Sequence, residues 1–193
     1  MATSSTPKRI VAAARRLLER GGADAVTMRG VAGAVGVTAM AIYGHYPDRA
    51  AVLGAVADQG FAELAARNAG QRLPAGFEAR LFKMVDLYIA YALAHPRLFE
   101  LMFLAPRAGA RRYPQDFKAG RSPTASQLAA AIEAGIASGE LRADDAWEIA
   151  FELGALLEGF LMLYLGGRID TTPAGLRALV RRSVRRHLHG IRR

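Results

Sequence analysis

Residues 26–47, VTMRGVAGAVGVTAMAIYGHYP, constrain the fold more tightly than any other part of the sequence. Thr27 is placed to cap a short helix running to Val35, because its hydroxyl can accept from a backbone N–H of the first turn. Gly36 interrupts that helix, Thr38 caps a second one reaching about Tyr46, and Pro47 forbids its continuation. Val31, Ala32 and Val35 then form one inner face, and Val37 and Ile42 the other. Ala32 is small where the helices cross, and Gly36 is free to take the positive φ of a tight turn. Two short helices joined this way make a helix-turn-helix, whose second helix fits the major groove of DNA. A generic helix pair satisfies the same pattern, so the spacing alone leaves both readings open.

Helical spacing continues on both sides. Ile10, Ala13, Ala14, Leu17 and Leu18 follow the i, i+3, i+4, i+7, i+8 pattern, with Arg15, Arg16, Glu19 and Arg20 opposite. Pro7 suits the first turn of this helix and Gly21-Gly22 its end. Asp48 is placed to cap a longer helix through about Arg67, and residues 73–76 (LPAG) break the pattern again. Further helices are predicted over 77–94, 97–104, 124–138, 143–165 and 173–189, with 105–123 a long loop holding at most one helical turn. No run reads as a strand. The predicted class is all-α: a three-helix helix-turn-helix domain over 1–47 and a larger helical domain over 48–193.

Composition narrows the function classes. The chain has no cysteine, which excludes a disulfide framework and thiolate chemistry. Its longest apolar run, 149–165, is interrupted by Glu152 and Glu158 and is too short for a comfortable membrane span. Residues 1–9 lack the apolar centre of a secretory signal. The expectation is a soluble, cytoplasmic protein without a membrane partner. A net charge of +9 points to a polyanion, most often nucleic acid, although an arginine-rich composition alone would produce the same excess.

Ile10, Ala13, Ala14, Leu17, Gly21, Thr27, Ala32, Gly36, Val37, Tyr43 and His45, followed by PDRAAVL over 47–53, together resemble the tetracycline-repressor (TetR) family of bacterial one-component regulators. The match covers about the first quarter of the chain, and the total length and helical remainder are also similar to that family. The resemblance implies that Thr27, Thr38, Tyr43, His45 and Arg49 contact DNA phosphates, a task suited to hydroxyls, an imidazole and a guanidinium. The family usually carries Lys where Arg49 stands, so charge is kept while donor geometry changes. Arg29, Ala39, Met40 and Gly44 lie where base edges are approached. Among them only Arg29 can make a bidentate contact to guanine, and Ala39 and Met40 can touch a thymine methyl. The bland reading of Tyr43 and Tyr46 is half-buried packing, and of Thr27 and Thr38 plain capping.

Beyond residue 76 the sequence is rich in aromatic residues and Met. Phe82, Tyr88, Tyr91, Phe99, Met102, Phe103, Trp147 and Phe151 are candidate walls of an apolar pocket, with Glu158 a polar member. Plain core accounts for such a stripe equally well, and only the resemblance favours an effector site between the helices over 77–94 and through Phe151. Glu152 and Glu158 are costly to bury unpaired. They face an effector, pair with an arginine, or sit at a dimer seam. The resemblance further implies a homodimer built from the last two helices. There Gly154, Ala155, Gly159 and Gly166 allow close approach, and Arg177, Arg181, Arg182, Arg185 and Arg186 form a solvated flank.

No zinc-binding helix, nucleotide-binding glycine loop or nucleophile elbow is present in the sequence, and the four histidines are scattered. No enzyme, metal site or cofactor is expected. The expected function is a ligand-responsive regulator, most simply a repressor. It would bind a near-palindromic double-stranded operator as a dimer and be released by a small, largely apolar effector. The alternatives are a constitutive architectural DNA-binding protein and an all-helical enzyme.

Overall fold

The computed structural model describes residues 6–107 and 109–192; the first five residues of the segment inspected for a secretory signal lie outside them. Ten α-helices follow one another, and no strand forms among the described residues. They divide into two compact units, one of residues up to Glu63 together with His95–Ala110, the other of Leu64–Ala94 and Arg111–Arg193. The helix α4 (Arg49–Ala69) contributes residues to both.

The first unit starts with α1 (Thr6–Gly21), which buries Ile10, Val11, Ala13, Ala14 and Leu18 along its apolar stripe. A short 3-10 turn (Ala23–Ala25), not foreseen from the sequence, leads into α2 (Met28–Val35) and α3 (Ala39–Tyr43). Val31, Ala32, Val35 and Ile42 are buried, as are Val52, Val56 and Ala57 of α4. Each fully buried aliphatic side chain contributes roughly 1.5–3 kcal/mol. α3 stops earlier than its sequence pattern suggests, because the amides of His45 and Tyr46 both turn back to the Ile42 carbonyl at 2.9 Å. Asp48 accepts from Ala51 N–H at 2.7 Å and so starts α4.

α6 (Pro96–Phe103) completes this unit, its Leu98, Phe99, Leu101 and Met102 buried. Gly60 lets α4 and α6 touch: a Cβ there would lie 2.5 Å from Met102 Sδ and 3.3 Å from a Leu98 methyl. A polar strap crosses the same side. Arg15 donates to Glu19 at 3.1 Å and to Glu63 at 2.5 Å, His95 Nδ1 sits 3.1 Å from Glu19, and Arg97 donates to the Glu19 carbonyl at 2.9 Å.

The second unit contains the end of α4, α5 (Phe77–Ala94), α7 (Gln115–Lys118), α8 (Pro123–Ala137), α9 (Ala146–Leu165) and α10 (Pro173–Ile191). α9 begins later than the apolar pattern suggests, since the Asp145 carboxylate caps it by accepting from the amides of Trp147 and Glu148. Ile149, Ala150, Leu153, Leu157 and Leu161 give α9 its buried face. α10 buries a single stripe, Leu176, Val180, Val184 and Leu188, spaced at every fourth residue. Gly135 of α8 lies against the Phe77 ring, where a Cβ would be 2.7 Å from Cδ2. Gln127 of α8 ties α4 by donating to the Ala65 carbonyl and accepting from Asn68. No helix among the described residues is long and apolar enough to cross a membrane.

Candidate nucleic-acid and effector sites

The turn between α2 and α3 is built as its chemistry requires. Thr27 Oγ1 accepts from Gly30 N–H at 3.0 Å, and Thr38 Oγ1 from Ala41 N–H at 3.2 Å. Gly36 adopts φ 77 and ψ 38, a left-handed conformation costly for any residue bearing a Cβ. Arg9 covers the freed Val35 carbonyl with a 2.8 Å hydrogen bond. With Ile42 held inside, α3 turns Met40 and Tyr43 outward, 78% and 48% exposed. Side chains so exposed on a short helix add little to its stability and are free to meet a partner. Thr38, Gly44 and His45 are exposed and Ala39 half-exposed on the same element. Thr27 and Arg29 are exposed on the α2 side, and Tyr46 is half-buried.

Arg49 has a more local employment than the sequence suggested. Its Nε donates to the Val26 carbonyl at 2.8 Å and its Nη2 to the Ala23 carbonyl at 2.6 Å, with the Asp24 carboxylate 3.5 Å away. It therefore bolts the start of α4 to the 3-10 turn through Nε and Nη2. Arginine's rigid fork suits this double carbonyl contact, whereas one ammonium presents a single point charge.

The candidate pocket residues separate between the units. Phe99, Met102 and Phe103 belong to the first, where Phe103 packs on Phe99 and Phe61 with ring centroids at 4.6 and 5.0 Å. Phe82, Tyr88, Tyr91, Trp147, Phe151 and Glu158 belong to the second. Phe82 is buried beneath the guanidinium groups of Arg181 and Arg185, at 4.9 and 5.2 Å from its ring centre, and Arg67 lies 5.6 Å from the ring of buried Tyr91. Trp147, Phe151, Gly154 and Glu158 follow one another along one flank of α9 at helical spacing. Tyr113 stacks on Phe151 at 4.1 Å, and Phe117 meets both rings edge-on. Opposite, Tyr88 of α5 donates a long 3.5 Å hydrogen bond to Glu158. Burial pushes the Glu158 carboxyl up to about 7, with the Tyr88 hydrogen bond acting weakly the other way. Desolvation, and secondarily the Glu158 charge, hold the Tyr88 phenol well above its ordinary value.

Residues 10–56 match the family described as bacterial regulatory proteins, tetR family, and residues 81–187 match the tetracyclin repressor-like C-terminal domain. The chain belongs to the TetR family. It is accordingly a helix-turn-helix DNA-binding protein of transcription regulation. Among solved structures it resembles a protein of unknown function from Rhodococcus sp. RHA1, at 28% identity and TM-score 0.80 over 100% of this chain and 98% of that one. A TetR variant from Acinetobacter baumannii AYE in complex with minocycline shares the fold at 19% identity and TM-score 0.68, covering 97% and 96% of the two chains. The TetR family transcriptional regulator PfmR from Thermus thermophilus does so at 18% identity and TM-score 0.63, covering 99% and 100%. No curated protein sequence matches the chain significantly.

Within this TetR-family chain, sequence reasoning overlooked Tyr113 and Phe117, because residues 105–123 carry too many prolines and glycines to show a periodic pattern. It left an effector, an arginine or a dimer seam open as the surroundings of Glu152 and Glu158. Glu152 lies 3.2 Å from His187 of α10, and Glu158 meets Tyr88. The C-terminal arginines are partly occupied as well: Arg181 pairs with Asp86, and Arg185 and Arg192 pair with Glu78.

Proposed function

We propose that this TetR-family protein is a ligand-responsive repressor, acting in the cytoplasm and without enzymatic activity. It binds a near-palindromic operator as a homodimer. The observation that carries this reading is the outward face of α2 and α3, where Met40 and Tyr43 stand exposed on a helix fixed from inside by Ile42. Thr27, Thr38, Tyr43, His45 and Arg49 hold phosphates and fix the register; Arg29, Ala39, Met40 and Gly44 approach base edges. α3 offers few hydrogen-bonding side chains, so readout leans on Arg29, methyl contacts and DNA shape. Residues 1–47 form the DNA-binding domain and 48–193 the effector and dimerisation domain. α4 begins directly after the recognition helix and ends in the second unit, and it is the element through which an effector acts. An effector that favours the form not competent for DNA releases the operator, by as much free energy as its affinities for the two forms differ.

The dimer forms through α9 and α10. Along α9, Ala155, Met162, Leu163 and Gly166 are exposed and Gly159 half-exposed, and a Cβ on Gly159 would meet nothing within 4 Å. An apolar, small-residue face of this kind suits a second copy of the same helix. Genome-wide mapping of bound DNA should return a two-fold motif near regulated genes. Anisotropy with that operator, titrated with metabolites and drugs, should find a compound that both raises thermal stability and releases DNA. Binding without any such compound would favour the constitutive architectural reading.

A further inference from the structure

The second unit contains a carboxyl that its own fold leaves unneutralised. Glu158 sits in α9 between Leu157, Gly159 and, one turn away, Gly154 and Leu161, on a helix with no arginine or lysine. The sequence offers 26 lysines and arginines, yet no cation is given to Glu158 among the described residues. The groups acting on it are its burial and the Tyr88 hydroxyl, whose hydrogen bond at 3.5 Å is long. Its neighbour in charge, Glu152, is turned to another side and lies against His187.

The surroundings hold space as well as charge. Tyr88 is half-buried and keeps part of its surface accessible. A Cβ on Gly154, one turn from Glu158 on the same flank of α9, would find no atom within 4 Å. Further along that flank stand half-exposed Trp147 and exposed Phe151, the latter stacked on Tyr113 and met edge-on by Phe117. A carboxyl at one end and aromatic rings at the other describe a site for a molecule with matching ends.

We propose that Glu158, oriented by Tyr88, is the cation-recognising anchor of the effector site, and that the effector is an amphiphile with an aromatic or apolar body bearing one protonated amine. This rests on the reading of the second unit as effector-binding and gives that effector its chemical class. The ammonium supplies the partner that the fold withholds, through a charge-assisted hydrogen bond in a desolvated setting. The Phe151, Tyr113 and Trp147 rings receive the apolar body. Anionic effectors are excluded, because a carboxylate beside Glu158 would bring two like charges into a poorly solvated space.

Three matched probes test this on the full chain by calorimetry and thermal unfolding: para-butylbenzylamine, para-butylbenzyl alcohol and para-butylbenzoate. At about pH 8 the amine should bind about tenfold or more tighter than the alcohol, and the benzoate should not bind. Amine affinity should fall as the pH is lowered through 7 and Glu158 takes up its proton, while alcohol affinity stays level. Glu158→Gln should bring the amine down to the alcohol. Tyr88→Phe, which keeps the carboxyl, should retain the amine preference, and the pH profile of the unaltered protein stands even if a variant folds poorly. Equal binding of benzoate and amine, a flat pH profile, a preference that survives Glu158→Gln, or no binding by any probe overturns the proposal. The effector reading is judged separately in the operator-release assay. A neutral or anionic releasing compound would uphold that reading while overturning the amine anchor, and the absence of any releasing compound would sink the reading itself.

Discussion

Arg29 and Arg49 are both arginines near the helix-turn-helix, but they have different work, and their substitutions separate it. Arg29 is exposed and makes no side-chain hydrogen bond among the described residues, so Arg29→Ala should leave thermal stability unchanged. It should relax base preference at one operator position and cost roughly 1–3 kcal/mol on the preferred sequence. A selection experiment that returns the parent motif would remove Arg29 from base readout. Arg49→Ala loses two carbonyl contacts as well as a charge. It should lower both the melting temperature and, by about one, the slope of log affinity against log salt. A lower melting temperature with an unchanged slope would make Arg49 a bolt only. Glu158 is a residue-scale case in stability. Its folded value near 7 exceeds the ordinary 4.5, so the folded state holds the proton more tightly. Stability from this group is complete below about pH 4.5 and declines as pH rises to 7, by up to about 3 kcal/mol. Glu158→Gln should therefore match the parent at about pH 4.5 and exceed it at about pH 8 in denaturant unfolding. A stability difference that does not vary with pH would refute the burial cause.

At the scale of elements, glycines of the same apparent type separate by what faces them. Gly135 in α8 and Gly154 in α9 both lie inside helices, where alanine is favoured by up to about 1 kcal/mol. At Gly135 a methyl would press on the Phe77 ring at 2.7 and 2.9 Å and on Leu141 at 3.2 Å, and a ring held at the start of α5 has little room to retreat. Gly135→Ala should destabilise by about 1–2 kcal/mol once overpacking outweighs propensity. Gly154→Ala meets open space and should be neutral to stabilising. Urea unfolding of both variants checks the pair of signs, and equal shifts would show that α5 and α8 do not meet as described. Helix boundaries obey the same logic of local chemistry. Thr27 and Thr38 cap α2 and α3 as their positions in the sequence suggest, because an N-cap is a contact among neighbours along the chain. The early end of α3 and the 3-10 turn were not legible, since both depend on where the Ile42 and Ala23 carbonyls find partners.

At the scale of the whole molecule, the proposed dimer makes the strongest demand. Gly159→Arg should give a folded protein of unchanged helicity, because a Cβ at this half-exposed position meets nothing within 4 Å in one subunit. It should be monomeric by analytical ultracentrifugation and bind the operator at least about tenfold more weakly, having lost the two-fold match to both half-sites. A dimer with full operator affinity would place the seam elsewhere. The sequence by itself determined the all-helical class, the helix-turn-helix and the apolar stripes, since caps, glycine turns and 3.6-residue periodicity act between residues close in the chain. The TetR resemblance was likewise readable from spaced residues such as Gly36, Tyr43 and His45. Only the tertiary structure decided that Phe82 lies under arginines while Phe151 stacks with Tyr113, and that Phe99 and Tyr88 serve different units. It alone paired Glu158 with a tyrosine in place of an arginine. Those outcomes depend on contacts between helices far apart in sequence, where an aromatic or charged residue carries no mark of the neighbour it will meet.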